Sequence, residues 1–301
     1  MTIKTLTIAV FWTVQASALL VFFVPFGWPL VALWAASHFL RAVGLTLCYH
    51  RYLAHRAFQM GRGARFVWAW IAASAMQKGP LWWAGHHVNH HRFADRDGDP
   101  HSPAVSGFYY AHIGWFLNDA KHDRLEPSNP VLRDFSKFPE LVFLDRFFFL
   151  PPLLFALGMY FGGGLQWLVW GFCLPTMTLA HATFAINTVN HLAGSRRFDT
   201  IDESRNNLVT AFFAAGEGWH NNHHRYQRAA RNGFYWWELD LTWYVIRLMA
   251  AVGLAWDLHE VPARIYAEAR ATRASRATAS ILDAPEQSPI TIELVEEAEP
   301  I

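Results

Sequence analysis

Residues 28–55 read WPLVALWAASHFLRAVGLTLCYHRYLAH: an apolar run from Trp28 to Leu47, interrupted by His38 and Arg41, that ends in two histidines, His50 and His55. The run reaches the roughly 20 residues needed to cross about 30 Å of hydrocarbon. It therefore reads as a membrane span that delivers imidazoles to one face of the bilayer. On its N-terminal side, after Lys4, lies a second apolar run, Leu6 to Phe26. This run is longer than a signal-peptide core and lacks a small-residue cleavage site, so it reads as another span. Pro25, Gly27 and Pro29 supply the turn between the two.

Toward the C-terminus, Phe66 to Ala84 is broken by Gln77, Lys78, Gly79 and Pro80, which suits a re-entrant or interfacial hairpin. Phe147 to Phe161 and Leu165 to Ile186 form a second pair of apolar runs, joined by Gly162, Gly163 and Gly164, with a kink expected at Pro151-Pro152. Neither short turn contains Lys or Arg. Arg51, Arg56, Arg62, Arg65, Arg92, Arg96, Arg124, Arg196, Arg197, Arg225 and Arg228 crowd the other side. By the positive-inside rule both hairpins enter from the cytoplasm and return to it. Phe234 to Trp256 is also apolar, but Glu238, Asp240 and Arg247 would each cost about 2.5–3.5 kcal/mol in a crossing, so a helix lying on the cytoplasmic face is expected. From Ala267 the chain is Ala/Arg-rich, then acidic (Glu293, Glu296, Glu297, Glu299), which predicts a disordered tail over 267–301 after a single domain over 1–266. The expected fold is an all-α integral membrane protein. Four transmembrane helices are expected, with both termini and the histidine-rich side in the cytoplasm, as in a bacterial inner membrane.

Composition agrees. Of 301 residues 53% are hydrophobic and 16% charged, below the roughly 25% charged of a soluble domain, and the 15 Trp and 24 Phe are a heavy aromatic load. A net charge of +1 gives no reason to expect nucleic-acid binding. Cys48 and Cys173 both lie in apolar runs, so neither a disulfide framework nor a thiolate zinc site is supported.

The 16 histidines are the anomaly. Most fall in four clusters at the cytoplasmic ends of apolar segments: His50-x4-His55, His87-x2-His90-His91, Asn187-x3-His191 and His220-x2-His223-His224. On a helix, positions i, i+3 and i+4 share a face, whereas neighbours diverge by about 100°. His90 and His91 thus suit two different metals, as do His223 and His224. His50 and His55, at i and i+5, require the helix to end or bend between them. Imidazole suits Zn, Cu, Fe and Ni, and nine are too many for one tetrahedral site, so two ions are implied. Taken singly, His38, His112, His122 and His259 read as solvated or core residues, and His86 and His101 stay open. Asp95, Asp97 and Asp99 either orient ligand imidazoles or form a plain surface turn. The arginines beside the boxes (Arg51, Arg56, Arg92, Arg225) either enforce topology or bind an anionic headgroup.

The pattern HxxxxH, HxxHH, NxxxH, HxxHH resembles the membrane-bound fatty acid desaturases, specifically the stearoyl-CoA desaturase family. The similarity runs from about Trp28 to Trp256 and includes Gly107-Phe108 with His112, Gly114 and Trp115, and Asn232-Gly233. It implies a four-span α-helical fold with a cytoplasmic helical cap, and in the cap two non-haem Fe ions, a diiron centre with O2 as co-substrate. One ion would be held by His50, His55, His91 and His224, with Asn187 acting through a water; the other by His87, His90, His191, His220 and His223. It further implies oxygen-dependent insertion of a cis double bond, delta-9 in a long-chain acyl-CoA, with bond position set by a bent tunnel. The tunnel positions map to Gln77, Trp83, Thr183 and Phe184. Lys78, Gly85 and His86 stand where the family has polar Asn, Arg and Asp, which leaves an acyl-lipid or protein-carried chain as the alternative. No haem or ferredoxin motif is present, so electrons would come from a separate donor of ferredoxin, rubredoxin or cytochrome type with its reductase. Two other readings compete: a fatty acyl or alkane hydroxylase with the same type of site, and a membrane metal carrier or sensor. Because histidine must be neutral to bind metal, metal and activity are expected to fall toward pH ~6.

Overall fold

The computed structural model describes residues 3–118 and 125–282. His122, Arg124 and the acidic end of the chain lie outside the described residues. Four apolar segments form two hairpins. Helix α1 (Ile3–Ala18) continues as a 3-10 turn to Phe23, and after the Pro25 to Gly27 turn the chain returns in α2 (Trp28–Gly44). Helix α2 runs on without a break into π-helical turns over Leu45–Ala54. Further helices build the cap: α3 (Arg62–Ala73), α4 (Pro80–Phe93), the short α5 (Pro103–Ser106) and α6 (Trp115–Asn118), α7 (Pro130–Phe135) and α8 (Pro139–Arg146).

The second hairpin is α9 (Leu150–Leu168), π-helical turns over Val169–Cys173, and α10 (Leu174–Leu192). Within α9 the helix breaks at Gly163 (φ −154°, ψ 21°) and Gly164 (φ 67°, ψ −156°), so the glycine turn expected from the sequence is present. At Gly164 a side chain would meet the left-handed penalty that glycine avoids. Pro151 and Pro152 do not kink the helix. They occupy its first turn, where the missing N–H costs nothing. Two stretches, Trp28–Ala54 and Leu150–Leu192, are long and apolar enough to cross a membrane.

The remaining helices are α11 (Leu208–Phe213), α12 (His220–Arg225), α13 (Leu241–Ala251) and α14 (Ala263–Leu282). The all-α expectation holds apart from a two-residue ribbon, β1 (Gln59–Met60) antiparallel to β2 (Ala255–Trp256). The long surface helix expected over Phe234 to Trp256 shortens to α13, because two of its charges belong to the cap. Asp240 caps the helix by accepting from the Trp243 N–H at 2.9 Å, and buried Glu238 pairs with Arg197 at 2.5 Å. Residues 267–282, expected to be disordered, are helical in α14. Ile265 and Ala269, one turn apart, are buried with Phe198 and Phe234, and Glu268 accepts from Arg225 Nε at 2.6 Å.

The main core joins α2, its π-helical extension, α3, α4, α8 and α13 through residues such as Leu47, Leu53, Phe58, Leu141 and Ile246. This packing clamps the π-helical turns from several sides and fixes the direction of His50.

Candidate metal centre

The π-helical turns answer the i, i+5 spacing of the first box. The His55 N–H donates to the His50 carbonyl at 3.1 Å, the five-residue repeat of a π-helix, and the two rings lie 4.7 Å apart. The helix widens over His50 and then ends, with His55 just beyond its last turn. α4 presents the second box and α12 the fourth, while α10 carries His191 in its last turn.

All nine histidines converge, in two sets. In the first, His50, His55, His87, His91 and His223 bring ring nitrogens within 4.8 Å of one another. Nε2 to Nε2 separations are 3.0 Å for His50 and His223, and 2.9 Å for His55 and His87, His87 and His91, and His91 and His223. The second set is His90, His191, His220 and His224, with His191 and His220 nitrogens 3.1 Å apart. Neighbours in both HH pairs separate as expected. The division into ligand sets implied by the resemblance is corrected: His87 and His223 join His50, His55 and His91, while His224 joins His90, His191 and His220. The reason is helical phase. His87 and His91 differ by about 40° around α4, as do His220 and His224 around α12, whereas i, i+3 pairs differ by about 60°. Asn187 lies one turn before His191 on α10 and so belongs on the four-histidine side, not with His50.

Four carboxylates orient the imidazoles. Nδ1 of His90 donates to Asp99 at 3.0 Å, His191 to Asp95 at 2.7 Å and His224 to Asp202 at 3.0 Å, while Glu217 Oε2 stands 2.6 Å from His50 Nδ1 as a close ionic contact. Each such bond fixes the tautomer that leaves a lone pair on Nε2, the arrangement metal-ligating histidines use. Buried His90 Nε2 and His224 Nε2 have no hydrogen-bond partner, which is how a nitrogen reserved for a metal should look. Nine convergent imidazoles, four of them backed by carboxylates, therefore fit two transition-metal ions. Asp95 and Asp99 were legible in the sequence. Asp97, in the same loop, is exposed and makes none of these bonds. Asp202 and Glu217 were missed.

Burial pushes His55, His87, His91, His220 and His223 well below the usual imidazole range, with neighbouring imidazoles adding to it. At His224 burial is partly offset by Asp202, leaving it at about 4. At His90 burial opposes protonation, but Asp99 outweighs it and raises the group.

Arg51 plays neither role expected of it. It is fully buried, donating to Glu217 at 2.9 Å and to Asp240 at 2.9 and 3.1 Å, so Glu217 ties His50 to an internal cation. Arg56 pairs with Asp134 and Arg225 with Glu268. His38 is a core residue whose ring nitrogens meet Thr178 Oγ1 and the Phe213 carbonyl.

A cavity of about 480 Å³ adjoins the histidines. Its wall includes Gln77, Trp83, Thr183, Phe184, His87 and Asn187, so all four tunnel positions come together there. Gln77 is the hinge of a polar seam across a largely apolar wall: its Nε2 donates to Thr183 Oγ1 at 2.9 Å, and its Oε1 accepts from Trp83 Nε1 at 3.3 Å.

Apolar helices, a cap holding two adjacent imidazole clusters and a largely apolar cavity beside them define a class of helical protein with room for two metal ions next to an apolar ligand. The chain belongs to the fatty acid desaturase family, whose sequence pattern matches residues 26–258. It is 39% identical over 218 residues to the chloroplastic palmitoyl-monogalactosyldiacylglycerol delta-7 desaturase of Arabidopsis thaliana, covering 72% of this chain and 58% of that one. It is 40% identical over 214 residues to the icosanoyl-CoA 5-desaturase of Limnanthes douglasii (71% and 60%), and 38% over 233 residues to the sn-2 palmitoyl-lipid 9-desaturase of Nostoc sp. (strain 36) (76% and 81%). The chain spans about three-fifths of the length of the first two.

Proposed function

We propose that this protein is an oxygen-dependent desaturase that inserts a cis double bond, delta-9, into a long-chain fatty acyl group. The observation that carries the reading is the cavity: an apolar wall that runs up to His87 and Asn187 at the edge of both clusters. His50, His55, His87, His91 and His223 would hold one iron, and His90, His191, His220 and His224, with Asn187 through a water, the other. Bound iron would supply the oxidising power, with O2, to remove two hydrogens from adjacent methylenes. The chain's own residues do the selecting. Gln77, Trp83 and Thr183 fix a rigid polar seam against which an acyl chain must bend, and Phe184 fills the wall beside it. Reduction of O2 to two waters takes four electrons, two of them from the substrate. Cys48 and Cys173 are single and buried, so the other two require a separate donor. The two hairpins are read as four crossings with the cap and both termini on the cytoplasmic side.

The test is gas chromatography with mass spectrometry on fatty acids of a host lacking its own desaturase, with and without this chain, under air and with a donor supplied. A new cis-monoene is expected, and mapping its double bond locates the bend. A hydroxy acid would transfer the reading to a hydroxylase, and unchanged lipids with iron bound would leave a metal carrier.

A further inference from the structure

Arg41, which interrupts the apolar run of α2, has no part in the metal centre. It lies thirteen residues after Trp28, about 20 Å along the helix, and its side chain is fully buried. Three neutral oxygens accept from it: the Ser37 carbonyl from Nε at 3.1 Å, and Thr176 Oγ1 and the Ser74 carbonyl from Nη1 at 2.7 and 3.4 Å. The guanidinium carbon stands 5.1 Å from the Phe155 ring and 5.6 Å from the Phe172 ring. Among the described residues no carboxylate pairs with it, and Nη2 has no hydrogen-bond partner. Arg51, equally buried, has two carboxylates. A buried cation without a counter-charge is costly, and more so within a bilayer. Arg41 also lines a second cavity, of about 270 Å³, between α2, α3 and α9. Leu40, Trp70, Ile71, Leu154 and Phe155 make its apolar walls, and Ser74 is the other polar residue. Leu40 and Leu154 are 46% and 47% exposed, so the mouth lies on the outer face of the apolar helices, toward hydrocarbon. Ser74 Oγ already donates to the Ile71 carbonyl at 2.6 Å, which leaves the guanidinium as the donor for a ligand. An anionic group with an alkyl chain behind it matches one cation at the end of apolar walls. A phosphodiester would set its polar head against leucine and tryptophan with no second cation to meet it.

We propose that this second cavity binds the ionised carboxylate of a free long-chain fatty acid, with Arg41 as its counter-ion and the alkyl tail passing between Leu40 and Leu154 into the bilayer. The site is separate from the cavity beside the histidines, although Arg41 stands between the two: Thr176 and Phe172 line that cavity, Ser74 and Phe155 this one. Nothing in it depends on the desaturase reading. The full, metal-loaded chain in phosphatidylcholine nanodiscs is photolabelled with palmitic acid carrying a diazirine beside its carboxyl group, and with the alcohol that matches it. The acid is expected to label Trp70 to Ser74 and Leu154-Phe155, at least tenfold more than the alcohol does. Arg41→Met and, at the mouth, Leu154→Trp should each lower that labelling at least tenfold. Leu154→Trp leaves the bonds from Arg41 to Ser74 and Thr176 in place, and unchanged metal content shows that its loss of labelling is not a loss of fold. Equal labelling by the alcohol, labelling confined to Gln77 to Trp83 in the other cavity, no labelling by the acid, or labelling indifferent to either variant would overturn the site. Displacement of the acid by added phosphatidylglycerol would overturn it as well, since the occupant would then be a lipid phosphate.

Discussion

The two histidine clusters touch, yet their surroundings differ. The five-histidine cluster has one carboxylate behind it, Glu217 on His50, and that carboxylate also answers buried Arg51. The four-histidine cluster has three, Asp99, Asp95 and Asp202, on three different imidazoles. An imidazole that donates Nδ1–H to a carboxylate is a stronger donor at Nε2, so the four-histidine cluster makes up in ligand basicity what it lacks in number. The difference teaches that the two ions should not be equivalent: one is caged by more nitrogens, the other faces more negative charge.

The largest effect should come from removing one imidazole from each side. His91→Ala and His224→Ala are each expected to reduce desaturation to background and to lose about one ion per chain, read by metal analysis beside the lipid assay. Normal turnover in either variant would remove that histidine from its cluster. Next come the carboxylates. Asp95→Asn and Asp202→Asn should weaken one of the two metal affinities about 10–100-fold and leave the other in place, whereas Glu217→Gln should weaken the opposite one. Glu217→Gln also deprives Arg51 of a partner and should lower stability by about 3 kcal/mol in chemical denaturation, Asp240 remaining to face the guanidinium. Equal loss at both sites in all three variants would erase the distinction.

Acid should separate the clusters more gently. The raised His90 takes up a proton at higher pH than the depressed imidazoles of the other set, and a protonated Nε2 cannot bind metal. As pH falls to about 6.5 the four-histidine cluster should therefore release its ion first, and a chelator titration at stepped pH should show occupancy passing through one ion per chain. In the metal-free chain, His224 at about 4 binds fewer protons folded than unfolded, so Tm should fall as pH drops from about 6.5 toward 4. The smallest effect is expected at His101, whose ring lies 4.5 Å from that of His90 and whose Nδ1 is 3.7 Å from Asp99. His101→Phe should change metal affinity by less than about threefold, since ring packing is retained. Loss of an ion would make it a ligand.

The boxes, the apolar runs and both hairpin turns were legible because they are local: a run length, a glycine triplet, a spacing of three or four. Cluster membership was not. Spacing showed that His90 must part from His91, but which partners each meets depends on how α4, α10 and α12 cross, and that is tertiary. Asp202 and Glu217 carry no local signal, since they lie 22 and 167 residues from the histidines they hold. Arg51 misled because an arginine beside a box looks like a surface charge until its two carboxylates fold over it. Helix α14 looked structureless since its two buried residues are too few to set a period, and its anchor, Arg225, is 43 residues away.

The π-helical turns between Leu45 and Ala54 have a consequence for how this protein can change. A wide turn is an ordinary turn with a residue to spare. Substitutions within it can be absorbed by repacking, but deleting one residue would draw the helix back to its tighter pitch and swing His50 about 100° away from His223 and Glu217. In this stretch the quantity to be preserved is a count of residues, and an engineered variant or a natural lineage could alter its letters far more freely than its length.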